Sequence, residues 1–96
     1  MQFIIYSEDK ADSLPLRQAN REAHLAWLSQ DMAAEVLVAG PWLDDDGTMR
    51  GSLLIVECED AQTLEGWMAR DPYAKAGLPG HVIVRPYKWV IGAPSR

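Results

Sequence analysis

The sequence has one cysteine, no basic cluster, no internal repeat and no long hydrophobic run, and each shortage removes a class of protein. Cys58 is the single thiol, so it cannot close an internal disulfide, which fits a reducing compartment. It lies in Val56-Glu57-Cys58-Glu59, where flanking acids disfavour a thiolate. A packed strand-end residue is therefore expected there, not a nucleophile. Nine Lys and Arg against fourteen Asp and Glu give a net charge of -5. A chain with that balance offers little to a polyphosphate, so no nucleic-acid partner is expected. No apolar stretch is long enough to span a bilayer, and no basic segment leads into one near the N-terminus. Neither a membrane partner nor a secretory leader is expected, and the default address is the cytoplasm.

What is present reads as one domain over residues 1–96. Phe3-Ile4-Ile5-Tyr6 is rich in strand formers. Glu8 to Asp12 is polar and reads as a loop. Asp12 or Ser13 can cap a helix that accepts Pro15 in its first turn and runs without glycine from Leu14 to Met32. Glu35 to Ala39 is a second strand, closed by Gly40-Pro41, and Asp44-Asp45-Asp46-Gly47 signals a turn. Gly51 to Val56 is a third strand. Asp60 can cap a helix over Ala61 to Arg70, which must end where Pro72 pushes Asp71 out of helical conformation. Tyr73 to Gly77 reads as an irregular turn with Gly77 left-handed. Val82-Ile83-Val84 begins the last strand, and Pro86, which interrupts it, calls for a sheet edge or a bulge.

The order strand, helix, strand, strand, helix, strand predicts an α+β protein of ferredoxin-like βαββαβ topology. Its four-stranded antiparallel sheet would carry both helices on one face. The other face should then alternate polar and apolar residues. Instead, Ile4-Ile5, Val36-Leu37-Val38-Ala39, Leu53-Leu54-Ile55-Val56 and Val82-Ile83-Val84 are apolar at consecutive positions. Both faces call for burial, and in so short a chain a second copy is the natural cover. A homodimer, or a higher assembly built from it, is the expected partner state. The four tryptophans, Trp27, Trp42, Trp67 and Trp89, read as core and interface material.

On the first helix, Arg17, Arg21, His24 and Leu28 fall on one line at spacings of four, three and four. Leu14, Leu25 and Met32 lie beside it and are expected to face the core, with Leu16, Ala23 and Trp27 more distant on the other side. The line is thus read as the border of an apolar face. Two guanidiniums near His24 disfavour an imidazolium, which suits a base, and they could hold the carboxylate of a small substrate. Asp71-Pro72-Tyr73 is the second feature. An acid at the C-terminal end of a helix faces an unfavourable dipole and calls for a partner such as His or Arg. His24 and Asp71 could meet if the helices pack side by side. His81 opens a strand after Gly80 and is expected to face solvent or the dimer seam.

Taken together, Arg17, Arg21 and His24, the strand end Ala39-Gly40-Pro41, Gly51-Ser52, Asp71-Pro72-Tyr73 with Ala76-Gly77, and Val82-Ile83-Val84-Arg85-Pro86-Tyr87 resemble the YCII-related (YciI-like) family in one register over nearly the whole chain. The resemblance implies a ferredoxin-like fold assembled as a dimeric α/β barrel. It implies a catalytic pair of His24 and Asp71, with Ser52 and the arginines nearby. The Asp44–Asp46 acids fall in a hairpin of variable length and are not read as a metal site. A relative resembles a dehydrochlorinase acting on a chlorinated hydroxyquinol, and the wider fold neighbourhood includes muconolactone isomerases. The expected activity is therefore cofactor-free proton transfer, of lyase or isomerase type, on a small anionic ring-derived ligand. His24 would move the proton and Asp71 would orient it. Arg17 and Arg21 would bind the anion, and Ser52 and Tyr73 would supply hydrogen bonds. No metal and no cofactor are expected. Two rivals stand beside this reading: a non-catalytic dimeric ligand-binding or accessory module, and a cofactor-free monooxygenase.

Overall fold

The computed structural model describes residues 1–93. The elements are β1 (Gln2–Asp9), α1 (Leu14–Gln30), β2 (Ala34–Leu43), β3 (Met49–Cys58), α2 (Ala61–Ala69), α3 (Pro72–Lys75) and β4 (Pro79–Tyr87). The strands form one antiparallel sheet in the order β2-β3-β1-β4. This is the expected ferredoxin-like arrangement, with β1 and β3 central. The strand prolines, Pro41, Pro79 and Pro86, lie in the edge strands β2 and β4, where a missing N–H is tolerated. For that reason Gly40-Pro41 does not end the second strand. Pairing runs on through Pro41↔Ser52 and Trp42↔Gly51. The acidic hairpin turns at Gly47, whose φ is +86° and whose amide donates to the Asp44 carbonyl at 2.9 Å.

The second helix starts where expected, with the Asp60 carboxylate accepting from the Thr63 amide at 2.7 Å. After it comes the first departure. The segment read as an irregular turn is the short helix α3, with Pro72 in its first turn and Asp71 as its N-cap. Asp71 therefore follows the C-cap of α2, as expected, and also caps the start of the next helix, where the Tyr73 amide offsets the unfavourable end of α2. Gly77 then leaves α3 at φ +77°.

The second departure concerns which face of α1 is buried. Leu25 and Met32 are exposed, while Trp27 joins the core and Leu28 packs against it. Arg17 and His24 are themselves buried, so the polar line lies in the middle of the buried face and not at its border. Counting apolar residues misplaced the face because polar groups from other elements meet these two side chains. Around them, Phe3, Ile5, Leu54, Val56, Leu64 and Trp67 form the core between sheet and helices. Burying a side chain such as Leu64 contributes roughly 2 kcal/mol. Trp27 and Trp67 pack with ring centres 4.1 Å apart, tilted by 31°, and join α1 to α2. The Arg70–Asp31 ion pair, 2.6 Å, ties the two helix ends together. Cys58 is buried at the end of β3, with its thiol donating to the Ala33 carbonyl.

The opposite sheet face carries Ile4, Tyr6, Val38, Leu53, Ile55 and Ile83, of which Tyr6, Val38 and Ile83 are exposed. On it Trp42 stacks on Tyr6 at 5.6 Å and its Nε1 donates to the Ser7 carbonyl at 2.8 Å. The indole crosses directly over Gly51, where a Cβ would collide with both the Ser7 carbonyl and Trp42 Nε1. Among the described residues no helix is long and apolar enough to cross a membrane. Gly51→Ala should expel Trp42 and lower stability by about 1–3 kcal/mol in urea unfolding. Gly40→Ala, where a Cβ meets nothing within 4 Å, should stay within about 0.5 kcal/mol of wild type.

Candidate functional site

The inward row of β1, Phe3 and Ile5, continues by strand alternation through Ser7 to Asp9. That alternation delivers a carboxylate under the first half of α1. Arg17 Nε and Nη2 donate to Asp9 Oδ2 and Oδ1 at 2.7 and 3.0 Å, and Nη2 also donates to Ser52 Oγ at 2.8 Å. Both side chains are nearly withdrawn from water, at 4% and 6% exposure. Such a pair persists only because the fork geometry and the extra hydrogen bond offset the cost of desolvating two charges.

Two turns along α1, His24 finds the other carboxylate. Asp71 is held extended ahead of Pro72, and its Oδ1 accepts from the Tyr73 amide at 2.9 Å. The same oxygen lies 2.7 Å from His24 Nδ1. An ionised carboxylate can only accept, so Nδ1 carries the proton and, in a neutral ring, Nε2 keeps its lone pair.

Tyr73 joins the two pairs. Its ring stacks on His24 at 3.9 Å and 11°, and the Arg17 guanidinium lies 4.9 Å from the centre of the same ring. Arg17 and His24 start about two helical turns apart, so Tyr73 fills the gap between them. Burial pushes the Tyr73 phenol above its ordinary range, an effect that Arg17 and Arg21 partly offset. Two cavities, of about 70 and 160 Å³, flank this assembly, and both are lined by Arg17, His24, Ser52, Leu54 and Tyr73. The smaller reaches toward Trp67, Met68 and Leu78, the larger toward Arg21 and Ala39-Gly40-Pro41.

Of the residues predicted from sequence, Arg17, His24, Ser52, Asp71 and Tyr73 thus form one connected set. Arg21 stands at the rim, exposed, and meets no carboxylate among the described residues. The two arginines differ in what they offer a ligand. Asp9 occupies the fork of Arg17, whereas Arg21 is free. Asp9 itself was hidden in the segment read as a polar loop; the signal for it was the unbroken alternation Phe3, Ile5, Ser7, Asp9. His81 is exposed at the start of β4, opposite Glu8.

The raised Tyr73 ionisation has a consequence at high pH. The unfolded chain loses this proton first, so the stabilisation is complete below about pH 10 and is lost as pH rises through the folded-state value. Wild type should therefore lose stability relative to Tyr73→Phe from about pH 10 upward, followed by tryptophan fluorescence in urea. Parallel pH dependence of the two proteins would contradict it.

Known proteins are similar to this chain in sequence and in fold. Residues 1–88 match the YCII-related domain. The chain is 40% identical to the Escherichia coli protein YciI over 97 aligned positions, covering 94% of this chain and 99% of that one. It is 39% identical to an uncharacterized protein of Haemophilus influenzae with the same coverage. Among solved structures, 5-chloro-2-hydroxyhydroquinone dehydrochlorinase (TftG) of Burkholderia phenoliruptrix, in complex with 2,5-dihydroxybenzoquinone, is 40% identical with a TM-score of 0.82, over 92% of this chain and 94% of that chain. Protein Atu4242 of Agrobacterium tumefaciens, 14% identical with a TM-score of 0.60 over 98% of both chains, shares the fold alone. With a family match across nearly its whole length and relatives at this identity, the chain belongs to the YCII-related domain family.

Proposed function

We propose that this protein is a cofactor-independent enzyme that moves a proton on a small, oxygen-rich ring compound, a lyase or isomerase in reaction type. The observation that carries the reading is the 2.7 Å bond from His24 to Asp71 beside two largely apolar cavities. TftG, a dehydrochlorinase 40% identical to this chain, supports both the reaction type and the ring class. In this reading His24 Nε2 takes a proton from the bound ring. The electron pair left behind either expels an anion such as chloride or shifts a double bond, in which case the proton returns at another atom. Asp71 holds the tautomer and stabilises the imidazolium. Arg21 faces the anionic oxygen of the ligand. The Ser52 oxygen already accepts from Arg17, which leaves its O–H free to donate.

The test is turnover of 5-chloro-2-hydroxyhydroquinone, with chloride release as the readout. His24→Gln and Asp71→Asn should each lower kcat by about 10²-fold or more with the fold intact. In Asp71→Asn the NMR titration of His24 should also move to lower pH, because the imidazolium loses its carboxylate. Retained turnover in both variants would overturn the reading. Binding of 2,5-dihydroxybenzoquinone by a wild type that turns nothing over would replace it with a ligand-binding module.

We further propose that a second copy of the chain covers the open sheet face. Support comes from the apolar run Ile4, Tyr6, Val38, Leu53 and Ile83, which no helix among the described residues covers. Wild type should run as a dimer in light scattering, and Ile83→Glu should weaken association by about two orders of magnitude. A monomeric wild type, or an Ile83→Glu dimer of unchanged affinity, would refute this.

A further inference from the structure

Asp9 carries no part of the reaction described above, yet it is the most withdrawn carboxylate around the site. Its side chain is 6% exposed and is spent entirely on Arg17. Arg17 in turn makes no bond to His24. It is held against Ser52 and over the Tyr73 ring. Tyr73 touches both members of the dyad, stacking on His24 and donating its amide proton to Asp71. The contacts thus run in one chain from Asp9 through Arg17 and Tyr73 to His24 and Asp71.

We propose that Asp9 is a positioning residue for this site: by neutralising Arg17 and fixing it over Tyr73, it sets the ring on which His24 stacks and the charge that His24 senses. The inference rests on His24–Asp71 being the working pair.

Geometry and charge both point this way. A guanidinium that has lost its carboxylate is tied only to Ser52 and slackens over the ring face without leaving it, so Tyr73 packs less firmly toward His24. The unmatched positive charge would then lie within about 9 Å of the imidazole, across one aromatic ring, with ring distances of 3.9 and 4.9 Å on the two sides. The other charged or titratable groups lining the two cavities are few. They are Arg21 on α1, and Asp71 and Tyr73 at the α3 end; β2, β3, β4 and α2 add none. With Asp9 removed, the only carboxylate left to balance two guanidiniums is the one His24 already uses. Ser52 can hold Arg17 in place but cannot neutralise it.

The experiment is NMR of the two histidines at low salt in wild type, Asp9→Asn and Asp9→Asn/Arg17→Gln. His81, exposed on β4, serves as the internal reference. In wild type the His24 ring protons should show an upfield ring-current shift from Tyr73, absent in Tyr73→Leu. In Asp9→Asn that shift should shrink, and the His24 titration should move to lower pH by up to about one unit while His81 stays put. In the double variant the titration should return toward wild type, since no charge is left unmatched. If the single variant does not fold, the double variant and Asp9→Glu carry the test. The first should restore the titration but not the ring-current shift. The second should keep the titration and alter the ring-current shift. A folded Asp9→Asn with unchanged His24 signals would overturn the proposal, as would a titration displaced equally in the double variant. Failure of the dyad itself reads differently: His24 would then ignore Asp71→Asn as well.

Discussion

A guanidinium taken out of water organises the interior of this protein. Arg17 sits in the middle of the sheet-facing side of α1, where simple amphipathic patterning would place a leucine. Its burial is tolerable only with a carboxylate in fork geometry, and β1 supplies one at Asp9. It needs a further acceptor, and β3 supplies Ser52. It offers a cationic face to an aromatic ring, and α3 supplies Tyr73. Four elements are fixed relative to one another by the requirements of one side chain. The orientation of His24 is a consequence, because its ring stacks on the same tyrosine.

The sheet divides the molecule into two unlike halves. On the helix side, apolar packing among Phe3, Leu54, Val56, Leu64 and Trp67 surrounds an island of polar contacts. On the other side, the strands present an apolar surface with no helix over it among the described residues. In place of a helix, Trp42 folds across Gly51 onto Tyr6 and gives its N–H to Ser7. A side chain at residue 51 would deny it that path. The edge strands hold prolines, which have no N–H to give and so limit further pairing along the sheet.

The charges around the site are arranged unequally. Asp9 and Arg17 answer each other. Asp71 answers His24 and a backbone amide. Among the described residues, Arg21 is left as a cation at the rim that meets no carboxylate. An anionic oxygen brought to Arg21 would lie on the same side of α1 as His24, one turn away, in the larger of the two cavities. The tyrosine between Arg17 and His24 keeps a fixed positive charge from direct contact with the base while using it to hold the ring in place.

The sequence by itself determined the order of elements, the antiparallel sheet, the edge position of the strand that holds Pro86, the hairpin at Gly47, the left-handed Gly77 and the line of Arg17, Arg21 and His24 along one helix. These depend on local propensities and on spacings of a few residues, which pattern alone records. It misjudged which face of α1 is buried, and it left Asp9 in a loop. Only the tertiary structure decided that a polar line belongs in the interior, because the groups that make this affordable lie eight, thirty-five and forty-seven residues away along the chain. It also made Asp71, at the end of one helix, the cap of the next, a four-residue helix that begins with Pro72 and stacks Tyr73 on His24. Periodicity reports how a segment would meet an apolar surface. It cannot report that the surface carries the carboxylates that the segment's own cations require.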